Sequence, residues 1–128
     1  MSYYFSKRLS IPFDEAIGRV TEELKANGFG GLTTIDVQET LKKKLDVSFR
    51  PYTILGACNP GFAHQALQKE DKIGTMLPCN VIVEQSADGS VEVSAVDPVS
   101  SMQAVDNPEL RKIAGEVQKL LKETINNL

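Results

Sequence analysis

Tyr52-Thr53-Ile54-Leu55-Gly56-Ala57-Cys58-Asn59-Pro60-Gly61-Phe62-Ala63-His64 passes from a β-branched run straight into a helix start. Tyr52 to Ala57 reads as a strand, and Pro51 is tolerated before it because a strand start need not donate to the ladder. Asn59 then stands where an N-cap accepts from an orphan backbone N–H. Pro60 stands at the first helical position, where a missing N–H costs nothing. A second stretch, Leu77-Pro78-Cys79-Asn80-Val81-Ile82-Val83, repeats the cysteine–asparagine step ahead of another valine-rich strand. Both cysteines and the only histidine lie in these two stretches.

Upstream, residues 2–9 read as a strand with Tyr3, Phe5 and Lys7 on one face and Tyr4, Ser6 and Arg8 on the other. Ser10-Ile11-Pro12 then opens a helix whose apolar stripe is Phe13, Ile17, Val20 and Leu24. Asn27-Gly28 ends it, since glycine takes a left-handed conformation without penalty. Leu32 to Asp36 is a second strand, and Asp36 with Glu39 resembles a capping box. The helix it opens is expected to turn Val37, Leu41 and Leu45 inward and Lys42-Lys43-Lys44 outward. Downstream, the helix begun at Asn59 stops near Glu70-Asp71, a loop passes through Gly74, and strands at Val81–Glu84 and Val91–Val96 flank an Asp88-Gly89 turn. A polar linker over 99–106 leads to Asn107-Pro108, where a long amphipathic helix carries Leu110, Ile113, Ala114, Val117, Leu121 and Ile125. The pattern predicts an α+β fold: a single two-layer domain over 1–128, with a mainly antiparallel sheet and helices on one face.

The composition fits that reading, since 128 residues with 41% hydrophobic and 24% charged suit one globular domain. A net charge of −3 gives no footprint for nucleic acid, which wants a basic patch. The lysine run reads as a solvated helix face rather than a phosphate site. No apolar run approaches the ~20 residues needed to cross a bilayer. The N-terminus places Lys7 and Arg8 after its short apolar patch, the reverse of a signal peptide. The sequence therefore points to a cytoplasmic protein with reduced thiols and away from a Cys58–Cys79 disulfide.

The chemistry concentrates at the two cysteines. Cys58 precedes a helix N-cap, where orphan N–H groups and the helix dipole favour a thiolate or a small bound anion. The competing reading is a small buried residue that fills space. If the strands carrying Cys58 and Cys79 are neighbours, the two thiols approach across a strand pair. They would then share a metal ion, for which His64 is the candidate third ligand, or form a reversible disulfide. Cys58, Asn59, Cys79 and Asn80 form the candidate ligand-binding set. Asn59 is equally accounted for as a helix cap, Asn80 as a turn residue, and Asp97 before Pro98 as a turn initiator. Enzyme templates mostly fail: CxxC, the P-loop and GxGxxG are absent. A Cys58–His64 nucleophile pair would have to come from one short helix start. The carboxylate pairs Asp14-Glu15, Glu22-Glu23 and Glu70-Asp71 read as helix surface. No catalytic residue is assigned, and whether the chain is an enzyme stays open.

The run Leu55-Gly56-Ala57-Cys58-Asn59-Pro60, with Ala63, Ala66-Leu67, Ile73-Gly74, Leu77-Pro78-Cys79-Asn80-Val81 and Asp97-Pro98, resembles the domain of unknown function 302 family. The resemblance implies a compact α+β fold similar to the TATA-binding-protein-like class, and homodimers. It implies no DNA binding, because fold does not fix function and this chain is acidic. It marks Cys58 and Cys79 as the motif positions, framed by Asn59, Pro60, Pro78 and Asn80, and gives His64 no place. Three readings follow: a binding module for a metal ion or small ligand at a Cys58/Cys79 pocket, a structural or interaction domain with packed cysteines, and, last, a thiol-dependent redox enzyme.

Overall fold

A computed structural model describes residues 2–128; Met1, the first residue of the single-domain reading, lies outside them. Five strands, β1 (Tyr4–Leu9), β2 (Thr33–Asp36), β3 (Tyr52–Ala57), β4 (Cys79–Gln85) and β5 (Val91–Val96), form one sheet in the order β1-β5-β4-β3-β2. Every pairing is antiparallel. The helices are α1 (Phe13–Ala26), α2 (Val37–Leu45), α3 (Pro60–Lys69), α4 (Pro98–Ser101) and α5 (Pro108–Asn126). They pack on one side of the sheet, so the fold is α+β as the periodicities predict.

Strand alternation divides the sheet into two faces. Leu55, Val81, Ala95 and Phe5 form one cross-strand row toward the helices, and Thr53, Val83, Val93 and Lys7 form the next. The valines and Leu55 are buried there against Ala16, Val20 and Leu24 of α1 and Leu121 and Ile125 of α5. The opposite face carries Tyr4, Ser6, Ile54, Ile82, Glu84, Glu92 and Ser94. Glu84 and Glu92 lie directly opposite each other, a repulsive placement. Arg50 at 3.1 Å and Arg8 at 3.7 Å neutralise them respectively.

The caps explain the element ends. Gly28, with φ of 86°, donates to Lys25 O, and Phe29 N donates to Leu24 O, so α1 closes in a Schellman motif with Phe29 and Leu24 both buried. Asn27 Nδ2 donates to Thr124 Oγ1, tying the end of α1 to α5. Asp36 accepts from Glu39 N at 3.0 Å, as the capping reading expects. The Glu39 carboxylate pairs with Lys43.

Several details differ from the sequence reading. Pro12 occupies the N-cap of α1, with the helix beginning at Phe13. The loop through Gly74 is a 3₁₀ segment, Asp71–Met76, and the polar linker opens with the short α4. Strand β4 starts at Cys79, earlier than the Val81 start expected. The main correction concerns α2: none of its residues is buried, and Leu45, expected inward, is exposed. Helical spacing forecasts a stripe but not whether another element covers it. Here α1 and α5 lie over β4, β5 and β1, leaving α2 beside the edge strand β2 and its neighbour β3.

Gly56 is sterically required. A Cβ there would strike Thr33 Oγ1 and approach Pro78 Cγ to 2.8 Å. Gly56→Ala should lower stability by ~1–3 kcal/mol through overpacking. Gly18→Ala, on an exposed part of α1 with open space around it, should gain about 0.5–1 kcal/mol from reduced backbone entropy. Urea unfolding of the two variants checks this; equal midpoints would contradict the packing described at Gly56.

Candidate functional site

The β3–β4 register sets the site. Ala57 pairs with Cys79, so Cys58, the next residue, leaves the sheet beside the first residue of β4. Both thiols line one crevice at this end of the sheet. Cys79 is buried and Cys58 partly so, and both are free thiols. Phe62, Ala63 and Ala66 of α3 form one wall, while Ile113, Ala114 and Val117 of α5 form another. Leu77, Pro78, Pro98 and Met102 complete the rim. The lining is almost wholly apolar and encloses about 40 Å³. That is roughly three times the volume one water requires, and far below the ~300 Å³ at which drug-sized pockets begin.

Polar side chains hold the walls together. Asn59 caps α3 by accepting from Phe62 N at 3.4 Å. Asn107 accepts from Glu109 N to start α5 and donates to Lys69 O at 2.9 Å, joining the start of α5 to the end of α3. Asp97 accepts from Val99 N and from Gln118 Nε2, both at 3.0 Å, and so fastens α4 to α5. The turn-initiating role expected of Asp97 is therefore joined by a tertiary one.

The structure brings together Cys58, Cys79 and Asn59, which all line the crevice, and it separates the other candidates. Asn80 faces the opposite side of the sheet from Cys79, because successive strand residues alternate. There it borders an open basin of about 410 Å³ with Tyr3, Tyr52, Glu84 and Glu92. His64 is exposed on α3 and does not line the crevice. Among the described residues, no three of His, Cys, Asp and Glu converge as a metal-ligand group. With His64 turned outward, the Cys58–His64 pair has no general base at the crevice. The contribution of α4 is invisible in the sequence, because residues 99–106 carry no helical periodicity. The α3 and α5 walls, by contrast, follow from the apolar stripes.

Burial pushes the Cys79 thiol up to about 11, and the neighbouring Cys58 adds to the effect. The low-dielectric surroundings penalise its thiolate, so Cys79 is a neutral thiol at physiological pH. Among the described residues, no helix is long and apolar enough to cross a membrane.

The family model described as domain of unknown function DUF302 matches residues 5–128. The chain belongs to that family. A crystal structure of an uncharacterized conserved DUF302 protein from Bacillus stearothermophilus aligns at a TM-score of 0.91 and 30% identity, covering 98% of each chain. An uncharacterized protein of Aquifex aeolicus (strain VF5) is 26% identical over 87 residues, or 65% of this chain. The chain spans 60% of the length of that curated relative.

A buried neutral thiol has a pH signature. The folded pKa of Cys79 lies above its ordinary value near 9, so the stability it contributes is complete below pH 9 and is lost as pH rises toward 11. Between neutral pH and pH 10 the wild type should lose more unfolding free energy than Cys79→Ala. Equal losses in denaturant titrations at the two pH values would contradict the burial of this thiol.

Proposed function

We propose that this member of the DUF302 family is a binding module whose Cys58/Cys79 crevice takes a small thiophilic ligand, best matched by a soft monovalent metal ion such as Cu(I). The observation that carries the reading is two thiols lining one apolar crevice of about 40 Å³. Zinc fits poorly, because structural zinc takes four ligands and His64 is directed elsewhere. Thiolate donors select soft ions, and Cu(I) is satisfied by two sulfurs. Its apolar surroundings would exclude competing water.

Binding would replace two S–H bonds with two S–Cu bonds and release both protons. Because Cys79 must lose its proton well below its pKa of about 11, affinity should tighten roughly tenfold per pH unit from this thiol alone. Cys58, partly buried, stands one residue before the N-cap of α3, where the helix dipole favours the extra negative charge of a bis-thiolate complex.

Anaerobic titration of reduced protein with Cu(I), in competition with a chromophoric chelator, is the direct test. One equivalent should bind per wild-type chain, more tightly at pH 8 than at pH 7. Cys58→Ser and Cys79→Ser should each abolish competition with the chelator. Uptake unchanged in either variant would remove the two-thiol site.

A further inference from the structure

The open face of the sheet carries a second concavity, which the thiol crevice does not explain. It is the basin of about 410 Å³ bordered by Asn80, within the ~300–1,000 Å³ typical of small-molecule sites. We propose that this basin binds a small organic cation, an alkyl amine or alkyl guanidine. Its charged head would sit between Glu84 and Glu92, with its stem lying across the sheet.

The register builds the site. Tyr52 pairs with Glu84, and Glu84 with Glu92, so a ring and two carboxylates stand side by side on one face. Two residues along the strands Ile82 pairs with Ser94, and two further on Val96 pairs with Tyr4. The basin therefore has an acidic end and a floor of Ile82 and Val96. Its second aromatic end is Tyr3 packed edge-on against Tyr4, with ring centroids 5.0 Å apart.

The acidic end is incompletely satisfied from within. Directly opposed carboxylates repel, and these are largely withdrawn from water, with side chains 21% and 32% exposed. Arg50 Nε donates to one oxygen of Glu84, while Arg8 stays 3.7 Å from Glu92, beyond hydrogen-bond reach. Neither arginine lines the basin, and no lysine does. A cation held between the two carboxylates would relieve their repulsion and occupy the oxygens that the arginines leave.

The rim already holds such a group. The Arg50 guanidinium lies 5.4 Å from the Tyr52 ring centroid and 4.5 Å from that of Phe49 while it donates to Glu84. A bound guanidinium would meet the same pairing of ring and carboxylate inside the basin. A hard divalent ion fits worse, since calcium takes about six to eight oxygens. Here the rings and the apolar floor stand where further oxygen ligands would be needed.

Titration of the full chain with agmatine, which carries a guanidinium and an ammonium on a butyl stem, tests the proposal. Followed by NMR at fixed ionic strength, it should give saturable shifts centred on Glu84, Glu92 and Ile82. Glu84→Gln and Glu92→Gln should each weaken binding about tenfold, and Tyr4→Leu several-fold. His64→Ala, on α3 at the other face of the sheet, should leave binding unchanged. Without agmatine, Glu92→Gln should unfold no earlier than the wild type, because it removes a repulsion, so its lost binding is not lost folding. Magnesium at the same ionic strength should not displace agmatine. Displacement by magnesium would reveal diffuse attraction to an acidic chain and overturn the proposal. So would the absence of saturable shifts in the wild type, or a folded Glu92→Gln that binds as tightly.

Discussion

The antiparallel pairing of β3 with β4 is the constraint on which the rest of the molecule depends. These strands lie inside the sheet, and their register places Leu55 against Val81 and Thr53 against Val83, all buried under the helices. A slip of one residue would turn every one of these side chains to the solvent face. The same register sets Ala57 opposite Cys79 and delivers Cys58 to the end of the sheet. The core and the thiol crevice are thus two consequences of one pairing. Gly56 tightens that link, because the space beside it is taken by Thr33 from β2 and Pro78 from the segment leading into β4.

The crevice and the edge formed by β2 and α2 lie in different physical regimes. At the crevice, α3, α4 and α5 converge, and the hydrogen bonds of Asn107 and Asp97 fix them together. There Cys79 is held in low dielectric and resists ionisation. At the β2 edge, by contrast, no residue of α2 is buried. The fold completes its core around β4 and β5 and leaves its thinnest cover at β2.

Much of this was legible in the sequence where a local signal has a local cause. Asn59-Pro60 and Asn107-Pro108 mark helix starts because capping is decided within a few residues, and both caps form. Gly28 likewise closes α1 for a reason confined to one turn. The pairing of the two cysteine-bearing strands was conditional on sheet order, which no spacing encodes, and the order satisfies it. Asn80 shows the opposite case. Adjacency to Cys79 in sequence suggested a shared site, but strand alternation sends the two residues to opposite faces. The placements of His64 and α2 were hidden for a common reason: periodicity gives a residue's angle on its helix, while its neighbours depend on how whole elements dock. The wall from α4 was hidden because a helix of Pro98–Ser101 is too short to show a period.

Cys58 and Cys79 line one crevice, and the proposed site requires them close enough to engage a single ligand. Titration of the reduced, native chain with phenylarsine oxide, whose arsenic bonds two neighbouring sulfurs with loss of water, reads that proximity directly. Uptake of one equivalent per chain is expected, with both thiols then protected from alkylation. A complex that leaves either thiol free to alkylate, or no complex in the folded protein, would contradict it.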